Sequence, residues 1–127
     1  QRIQIINGSI TNNGARPSEK VFDVDCSDGL EVDPTTHRCP DNGARVNIED
    51  CSITNNVGAT ELKATWRDPD FNPKDKAFYY VRVLENPVCR WSTWDSIREG
   101  VEPRSDIPAT IQERAWTSPI WFEPSKS

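Results

Sequence analysis

The stretch AFYYVRVLE, residues 77–85, decides how the rest of the chain must be arranged. At the two-residue period of a β-strand, one face carries Tyr79, Val81 and Val83, and the other carries Phe78, Tyr80 and Leu84. Only Arg82 interrupts the apolar pattern. A strand that is apolar on both sides needs cover on both sides. The pattern therefore predicts a central strand, or one covered by something outside this segment.

A near repeat at the start of the chain predicts two β-hairpins. RIQIINGSITNN at 2–13 returns as RVNIEDCSITNN at 45–56, and each copy runs from an alternating segment into Asn-rich residues that tolerate tight turns. Returning strands are predicted at 19–26 and 61–68, the second with clear polar–apolar alternation. Because these two returning strands share little sequence, we interpret the repeat as one hairpin chemistry used twice. A repeated binding unit is the alternative.

One helix is predicted after the central strand. WSTWDSIREG, residues 91–100, contains a loose capping box in which Ser92 is followed three residues later by Asp95. Gly100 supplies the stop signal. The expected helix spans about two turns.

The pattern AWTSPIWF, residues 115–122, predicts the last strand. Trp116, Ile120 and Phe122 are expected on one side of it. Pro119 cannot donate a backbone hydrogen bond, so the strand is predicted to lie at an edge of the sheet or to contain a bulge.

Strands dominate these predictions, so the expected fold is mainly β: a β-sandwich of short antiparallel strands with one short helix, stapled by disulfides. The 127 residues are expected to form a single domain, 1–127, and a hydrophobic share of 35% leaves it a modest core. The net charge of −5, with no basic cluster, argues against nucleic acid and an anionic membrane surface as partners. No apolar run approaches the roughly 20 residues of a membrane span.

The chain has an even set of cysteines, namely Cys26, Cys39, Cys51 and Cys89. A zinc site is the competing interpretation, but neither a CxxC pair nor a pair of histidines accompanies them. Two disulfides are therefore expected, and with them an oxidising location, periplasmic or secreted. Three pairings are possible. We expect neighbours in sequence to pair, Cys26 with Cys39 and Cys51 with Cys89.

Clustered carboxylates in FDVDCSDGLEVDP make Asp23, Asp25 and Asp28 candidate calcium ligands. The EF-hand template fails here, because its glycine falls one place late at Gly29 and its last position is Pro34 instead of glutamate. On a strand, Asp23 and Asp25 are expected to share a solvent-facing side. We favour a structural role for all three carboxylates and keep calcium as the alternative.

Catalytic residues are not recognisable in this segment. His37 is the only histidine, so a catalytic metal site with two or three histidines cannot be built from this chain alone. No nucleophile-elbow pattern accompanies it. We therefore predict no catalytic residues and no resident metal or other cofactor in the segment.

Five tryptophans are many for this length. Trp66 and Trp116 lie on predicted apolar strand faces and are expected in the core. Trp91 and Trp94, with Arg90 beside them at the helix start, are predicted to form an interdomain or ligand surface. Exposed tryptophan rings can also stack on sugars, which keeps a glycan-binding module open as an alternative.

Three blocks carry a resemblance to a known family: WRDPDFNP, then AFYYVRVLENPVCRW, then TIQERAWTSPIWF. In this order they resemble the C-terminal region of the bacterial domain-of-unknown-function family 3604, which is related to the polymerase-and-histidinol-phosphatase superfamily of metal-dependent phosphoesterases. CSDG and HRCPDNG, together with NPVCRWST, resemble a cysteine-bearing branch of that family. The resemblance covers nearly the whole chain.

The resemblance implies a context and not a reaction. The metal ligands of the superfamily belong to an upstream catalytic domain, so any divalent metal is expected in the parent protein and no ligand is carried over to this segment. The chain, starting at Gln1 as a fragment of a longer protein, is then expected to be a non-catalytic C-terminal accessory domain. Its implied partner is the upstream catalytic domain, which it would pack on and stabilise. The alternative is a glycan or cell-envelope binding module.

Overall fold

The computed structural model describes residues 1–11 and 17–125. In chain order the elements are β1 (Arg2–Ile10), β2 (Pro17–Cys26), a 3-10 turn (Ser27–Gly29), β3 (Lys76–Cys89), α1 (Trp91–Glu99), β4 (Thr110–Trp116) and β5 (Ile120–Phe122). The strands form one antiparallel sheet in the order β2-β1-β3-β4, and β5 also pairs with β3. The mainly β fold with antiparallel strands and one short helix is confirmed. No helix in the described part of the chain is long and apolar enough to cross a membrane.

β3 lies at the centre of the sheet, as its apolar pattern predicts. Along one side it pairs with β1, from Leu84 opposite Arg2 to Lys76 opposite Ile10. Along its other side the C-terminal half pairs with β4 and the N-terminal end pairs with β5. Each of these three strands therefore takes its position from β3.

The first copy of the repeat forms the predicted hairpin. β1 and β2 pair antiparallel, and β2 begins two residues earlier than predicted. The predicted turn residues Asn12, Asn13 and Gly14 lie outside the described residues. One irregularity interrupts the pairing, because Ile3 lies opposite Asp25 whereas Gln4 lies opposite Asp23. The extra residue on β2 is a β-bulge, and it decides which face each aspartate occupies.

The register sorts the side chains onto two faces with different surroundings. We call one the covered face, which carries Ile5, Asn7, Phe22, Tyr79 and Val81. We call the other the open face, which carries Ile6, Gly8, Val21, Phe78 and Tyr80. The distinction matters because the aromatic rings of the long segment 30–75 pack on the covered face, whereas on the open face this segment reaches Asp23 and Cys26 at the β2 side of the sheet.

Aromatic contacts attach segment 30–75 to the covered face. The ring of Trp66 lies 5.1 Å from that of Phe22 and 6.3 Å from that of Tyr79, measured between centroids. Phe71 meets Phe122 edge-on at 4.9 Å. The Tyr79 hydroxyl donates a hydrogen bond to Asp68 Oδ2 at 2.7 Å. Burial and this bond raise the pKa of Tyr79 to about 12, so the phenol keeps its proton and remains a donor.

The predicted strand at 61–68 is wrong, and its alternation is matched only in part, because Ala64 is exposed although it lies in phase with Leu62 and Trp66. Leu62 and Trp66 are half-buried while their charged neighbours are exposed, but no ladder forms there. The Lys63 N–H instead donates to the side chain of Asp25 at 2.7 Å. A side-chain acceptor has replaced the partner strand. The second sheet that a sandwich requires is not among the described elements, and coil from 30–75 occupies that side.

The second copy of the repeat does not reproduce the first. Within 45–56 the structure has a single β-bridge, between Val46 and Ile53, around a tight turn at residues 48–50. The chain turns back here because Cys51 adopts a left-handed φ of +57°. The prediction of two equivalent hairpins is therefore wrong for this copy, and similar sequence has yielded a long strand once and a short turn once.

Both disulfides pair neighbours in sequence, as predicted. Cys39 is joined to Cys26 at the end of β2, and Cys51 is joined to Cys89 at the end of β3. Each bridge ties segment 30–75 to a strand of the sheet. By loop-closure arguments each contributes on the order of 3 kcal/mol, which matters for a segment with so little ladder of its own.

The predicted helix is present, but it starts differently. α1 begins at Trp91, and its N-cap is Arg90, whose side chain makes no capping bond. Ser92 lies inside the helix and is buried, so the predicted capping box is wrong. The stop is confirmed, because Gly100 adopts a φ of +63° and its N–H donates to the Ile97 carbonyl at 3.3 Å.

We predict that Gly8→Ala destabilises the sheet. A Cβ at Gly8 would lie 2.3 Å from two carbons of the Phe78 ring, so the ring must leave its place on the open face. Overpacking of this kind lowers the free energy of unfolding by roughly 1–3 kcal/mol, measurable by urea denaturation. Ser9→Ala, on the other face, is the control and should cost less than 1 kcal/mol. Equal midpoints for Gly8→Ala and wild type would contradict the close packing.

Candidate functional site

The open face carries a groove lined by aromatic rings. Its lining residues are Phe78, Tyr80, Trp116, Thr117, Pro119 and Trp121, and its volume is about 390 Å³. We call it the aromatic groove. Trp116 is 61% exposed and Trp121 is 69% exposed, which is high for a residue type that proteins usually bury. A contiguous apolar surface of this kind marks a contact site more often than a random surface.

The break between β4 and β5 creates this groove. In a single unbroken strand, Ile120 and Phe122 would lie on the same face of the sheet as Trp116, as the sequence pattern predicts. Instead, residues 117–119 interrupt the ladder and β5 resumes in the opposite phase. Trp121 therefore joins Trp116 on the open face, whereas Ile120 and Phe122 point the other way. The predicted common side is wrong because the break changes the strand's phase.

Thr117 holds the break in place. The Val81 N–H donates to Thr117 Oγ1 and the Thr117 N–H donates to the Val81 carbonyl, both at 3.0 Å. Pro119 follows, and it cannot extend a ladder. The edge position predicted from Pro119 is confirmed. The predicted core position of Trp116 is wrong: the residue lies on an edge strand, and within the described part of the chain it is 61% exposed.

The groove continues along the sheet. Phe78 and Trp121, whose rings are 5.2 Å apart, also border a second hollow of about 530 Å³ that reaches Ile10 and Pro17. Gly8 forms part of its floor, since only a residue without a Cβ leaves room for the Phe78 ring. The apolar surface therefore extends across β1, β3 and β5.

Next to the aromatic groove lies a buried polar chain. The carboxylate of Asp23 accepts a hydrogen bond from Gln4 Nε2 at 2.6 Å, and Gln4 Oε1 in turn accepts one from Arg82 Nε at 2.8 Å. Asp23 and Gln4 are only 3% and 6% exposed. Because the buried end is fixed, the chain holds the Arg82 guanidinium in one orientation beside Trp116, its neighbour across the strands.

More arginines surround this chain. Arg2 lies 3.2 Å from Asp23 and Arg38 lies 3.6 Å from it. Arg114 is on the open face too, opposite Leu84 on the neighbouring strand. We call Arg2, Arg38, Arg82 and Arg114 the basic corner. Within the described residues, neither Arg82 nor Arg114 forms an ion pair.

The three calcium candidates bind different partners. Asp23 also accepts the Cys39 N–H at 2.7 Å, and the bulge places it on the face opposite Asp25, so the predicted common solvent-facing side is wrong. Asp25 accepts the Lys63 N–H. Asp28 accepts the Gly58 N–H at 2.7 Å and a bond from Ser27 Oγ at 2.6 Å, and these bonds lower its pKa. In the ranges 1–11 and 17–125, no three His, Cys, Asp or Glu side chains are grouped to hold a metal ion.

The residues predicted at the helix start lie on a separate surface. Trp91 is 70% exposed, and Trp94 is 40% exposed with the Arg98 guanidinium 5.7 Å from its ring centroid. Arg90 is half-buried, and its Nε atom has no hydrogen-bond partner within the described chain. His37 lies elsewhere, with its ring 5.2 Å from that of Phe22.

Sequence reasoning missed the aromatic groove and the basic corner. The signal for part of it was present, because Arg82 is the one charge in the otherwise apolar run 77–84. The phase change at residues 117–119 and the bulge in β2 were not readable from the alternation. Both irregularities change which side chains meet on the open face.

We predict that Asp23→Ala lowers the free energy of unfolding by about 3–5 kcal/mol, because Gln4 and the Cys39 N–H lose their acceptor and Arg2 loses its counter-charge inside the fold. Urea denaturation measures the loss. Asp70→Ala is the matched control, because its pair with Lys20 is about half exposed and should contribute less than about 1 kcal/mol. Similar losses for both variants would argue against a structural role of the buried carboxylate.

Comparison with known proteins identifies the family. A family model described as a protein of unknown function, DUF3604, matches residues 1–124. No curated protein and no solved structure matches the chain. Since the match spans nearly the full length, the chain belongs to the DUF3604 family.

Proposed function

We propose that this chain is a non-catalytic accessory domain of a metal-dependent phosphoesterase-like protein, and that its open face packs on the catalytic domain. The observation that carries the proposal is the aromatic groove, where two tryptophans of the sheet are more than half exposed. Interfaces are enriched in such aromatic anchors. The open face would then acquire the second layer that a sandwich requires.

The size of the exposed surface supports this proposal. A tryptophan buries roughly 150–250 Å² when it is packed. Covering the exposed parts of Trp116 and Trp121 would contribute on the order of 5 kcal/mol before the costs of ordering are subtracted. This contribution is comparable to the whole stability of a small domain, so docking would stabilise both partners.

The chemistry of the parent protein would lie outside this chain. Any divalent metal belongs to the catalytic domain in this proposal, as in the polymerase-and-histidinol-phosphatase superfamily. Two disulfides fit an oxidising location, and we propose a bacterial protein that is periplasmic or secreted. The accessory domain would contribute stability and shape the approach to the active site.

The proposal predicts that Trp116→Ser combined with Trp121→Ser destabilises the full-length protein more than this chain alone. We expect the melting temperature of the full-length protein to fall by roughly 5 °C or more, because the variant loses buried apolar area only when the partner is present. Ile48→Ser is the control, since Ile48 is 51% exposed but lies outside the aromatic groove.

Activity supplies a second measurement. Metal-dependent hydrolysis of p-nitrophenyl phosphate is expected from the full-length protein and not from this chain. Hydroxyl-radical labelling of Trp116 should fall when the rest of the protein is present. If Trp116 is labelled equally in the full-length protein and in the chain alone, the open face is not a docking surface.

A glycan-binding module is the second candidate, because Trp116 and Trp121 line an open groove of a size that admits sugar rings. A sugar array probed with this chain tests it. Binding that is lost in Trp116→Ala and Trp121→Ala, and kept in Trp91→Ala and Trp94→Ala, would favour this candidate. Loss in the latter pair would assign binding to the helix surface instead.

A further inference from the structure

We propose that the surface docked on the open face carries carboxylates that pair with Arg82 and Arg114, beside an apolar side chain that enters the aromatic groove. This inference rests on the proposed function and names the chemistry of its partner: an acidic and apolar patch on the catalytic domain of the same protein. Three observations indicate this partner chemistry: the charge of the basic corner, the orientation of the Arg82 guanidinium, and the register of β3 with β4.

The charge of the basic corner is opposite to that of the chain as a whole. The full sequence has a net charge of −5, yet four arginines lie in this corner of the sheet: Arg2 and Arg38 pair with Asp23, while Arg82 and Arg114, on β3 and β4, have no counter-charge within the described residues. Like charges held together raise the free energy of the isolated domain. A docked carboxylate would relieve this repulsion, which is why the corner selects an acidic partner.

The Arg82 guanidinium is already oriented for such a partner. Its Nε atom is held by Gln4, which is held by Asp23, and both of these side chains are buried. Its two Nη atoms have no hydrogen-bond or ion-pair partner within the described residues. A planar guanidinium with a free fork binds a carboxylate in bidentate geometry, and a pre-oriented fork loses less entropy on binding.

The register explains why the partner must be apolar as well as acidic. Arg82 and Trp116 lie directly opposite each other on β3 and β4, so their Cβ atoms are roughly 5 Å apart. Arg114 precedes Trp116 by two residues and points to the same face. A carboxylate bound at Arg82 therefore places its neighbouring side chains over the indole of Trp116.

Carbodiimide cross-linking of the full-length protein tests the inference. Arg82→Lys and Arg114→Lys each place an amine where the carboxylate is expected, and mass spectrometry locates the amide that forms. The Arg114 side chain makes no hydrogen bond or ion pair within the described chain, so Arg114→Lys tests the idea even if Arg82→Lys disturbs the bond to Gln4. Arg67→Lys is the control, because Arg67 is exposed and unpaired in the described chain but lies on segment 30–75.

We expect cross-links from positions 82 and 114 to Asp or Glu outside residues 1–127, at least tenfold above the control. If positions 82 and 114 cross-link only within residues 1–127 while Trp116 is protected from hydroxyl-radical labelling in the full-length protein, the acidic partner is excluded but docking on the open face is retained. Equal labelling of Trp116 with and without the rest of the protein would instead show that the open face is not a docking surface. If oligogalacturonate quenches the tryptophan fluorescence of the full-length protein, and Trp116→Ala abolishes this quenching, the arginines bind the carboxylates of a sugar. That result would also overturn the inference.

Discussion

The structure depends on a single strand that is apolar on both faces. β3 contributes pairing positions to β1, β4 and β5, and its side chains point to both faces of the sheet. Such a strand is stable only if both of its faces leave water, because each exposed aromatic ring forgoes a large part of its hydrophobic gain. On the covered face this requirement is met within the chain at Tyr79, where Trp66 of segment 30–75 packs, whereas Val83 is still 40% exposed. On the open face it is met only in part, and the aromatic groove is what remains uncovered.

Segment 30–75, which packs on the covered face, contains very little regular secondary structure. Segment 30–75 forms no ladder beyond one isolated bridge, and its polar groups are satisfied by side chains such as those of Asp25 and Asp33. Coil of this length is costly to order, since each residue loses backbone freedom without a cooperative hydrogen-bond network. The two disulfides reduce this cost by joining the coil to the ends of β2 and β3. The two disulfides therefore help to hold segment 30–75 against the sheet, in the position that a second sheet occupies in a sandwich.

The charged side chains of the basic corner would make the open face selective for its partner. The buried carboxylate of Asp23 organises the basic corner, and Gln4 passes its orientation on to Arg82. Beside this charged corner lie the exposed rings of Trp116 and Trp121. An apolar surface next to an oriented charge is more selective than either alone, because a wrong partner leaves the charge desolvated without a counter-charge. In the proposed function, this selectivity would make the open face specific for one docked surface.

Much of the fold was determined by the sequence alone. The apolar period of β3, the hairpin of β1 and β2, the helix stop at Gly100 and the edge position near Pro119 follow from local rules of alternation, backbone freedom and missing donors. Tertiary structure decided the rest. The alternation at 61–68 matches the burial of Leu62 and Trp66 but not that of Ala64, and the Lys63 N–H bonds to the side chain of Asp25 instead of to a neighbouring strand. The candidate site is the least predictable part, because the bulge in β2 and the break at 117–119 each shift the strand phase. Pro119 signals an edge or a bulge in the local sequence, but the phase in which β5 resumes is fixed by pairing with the distant strand β3.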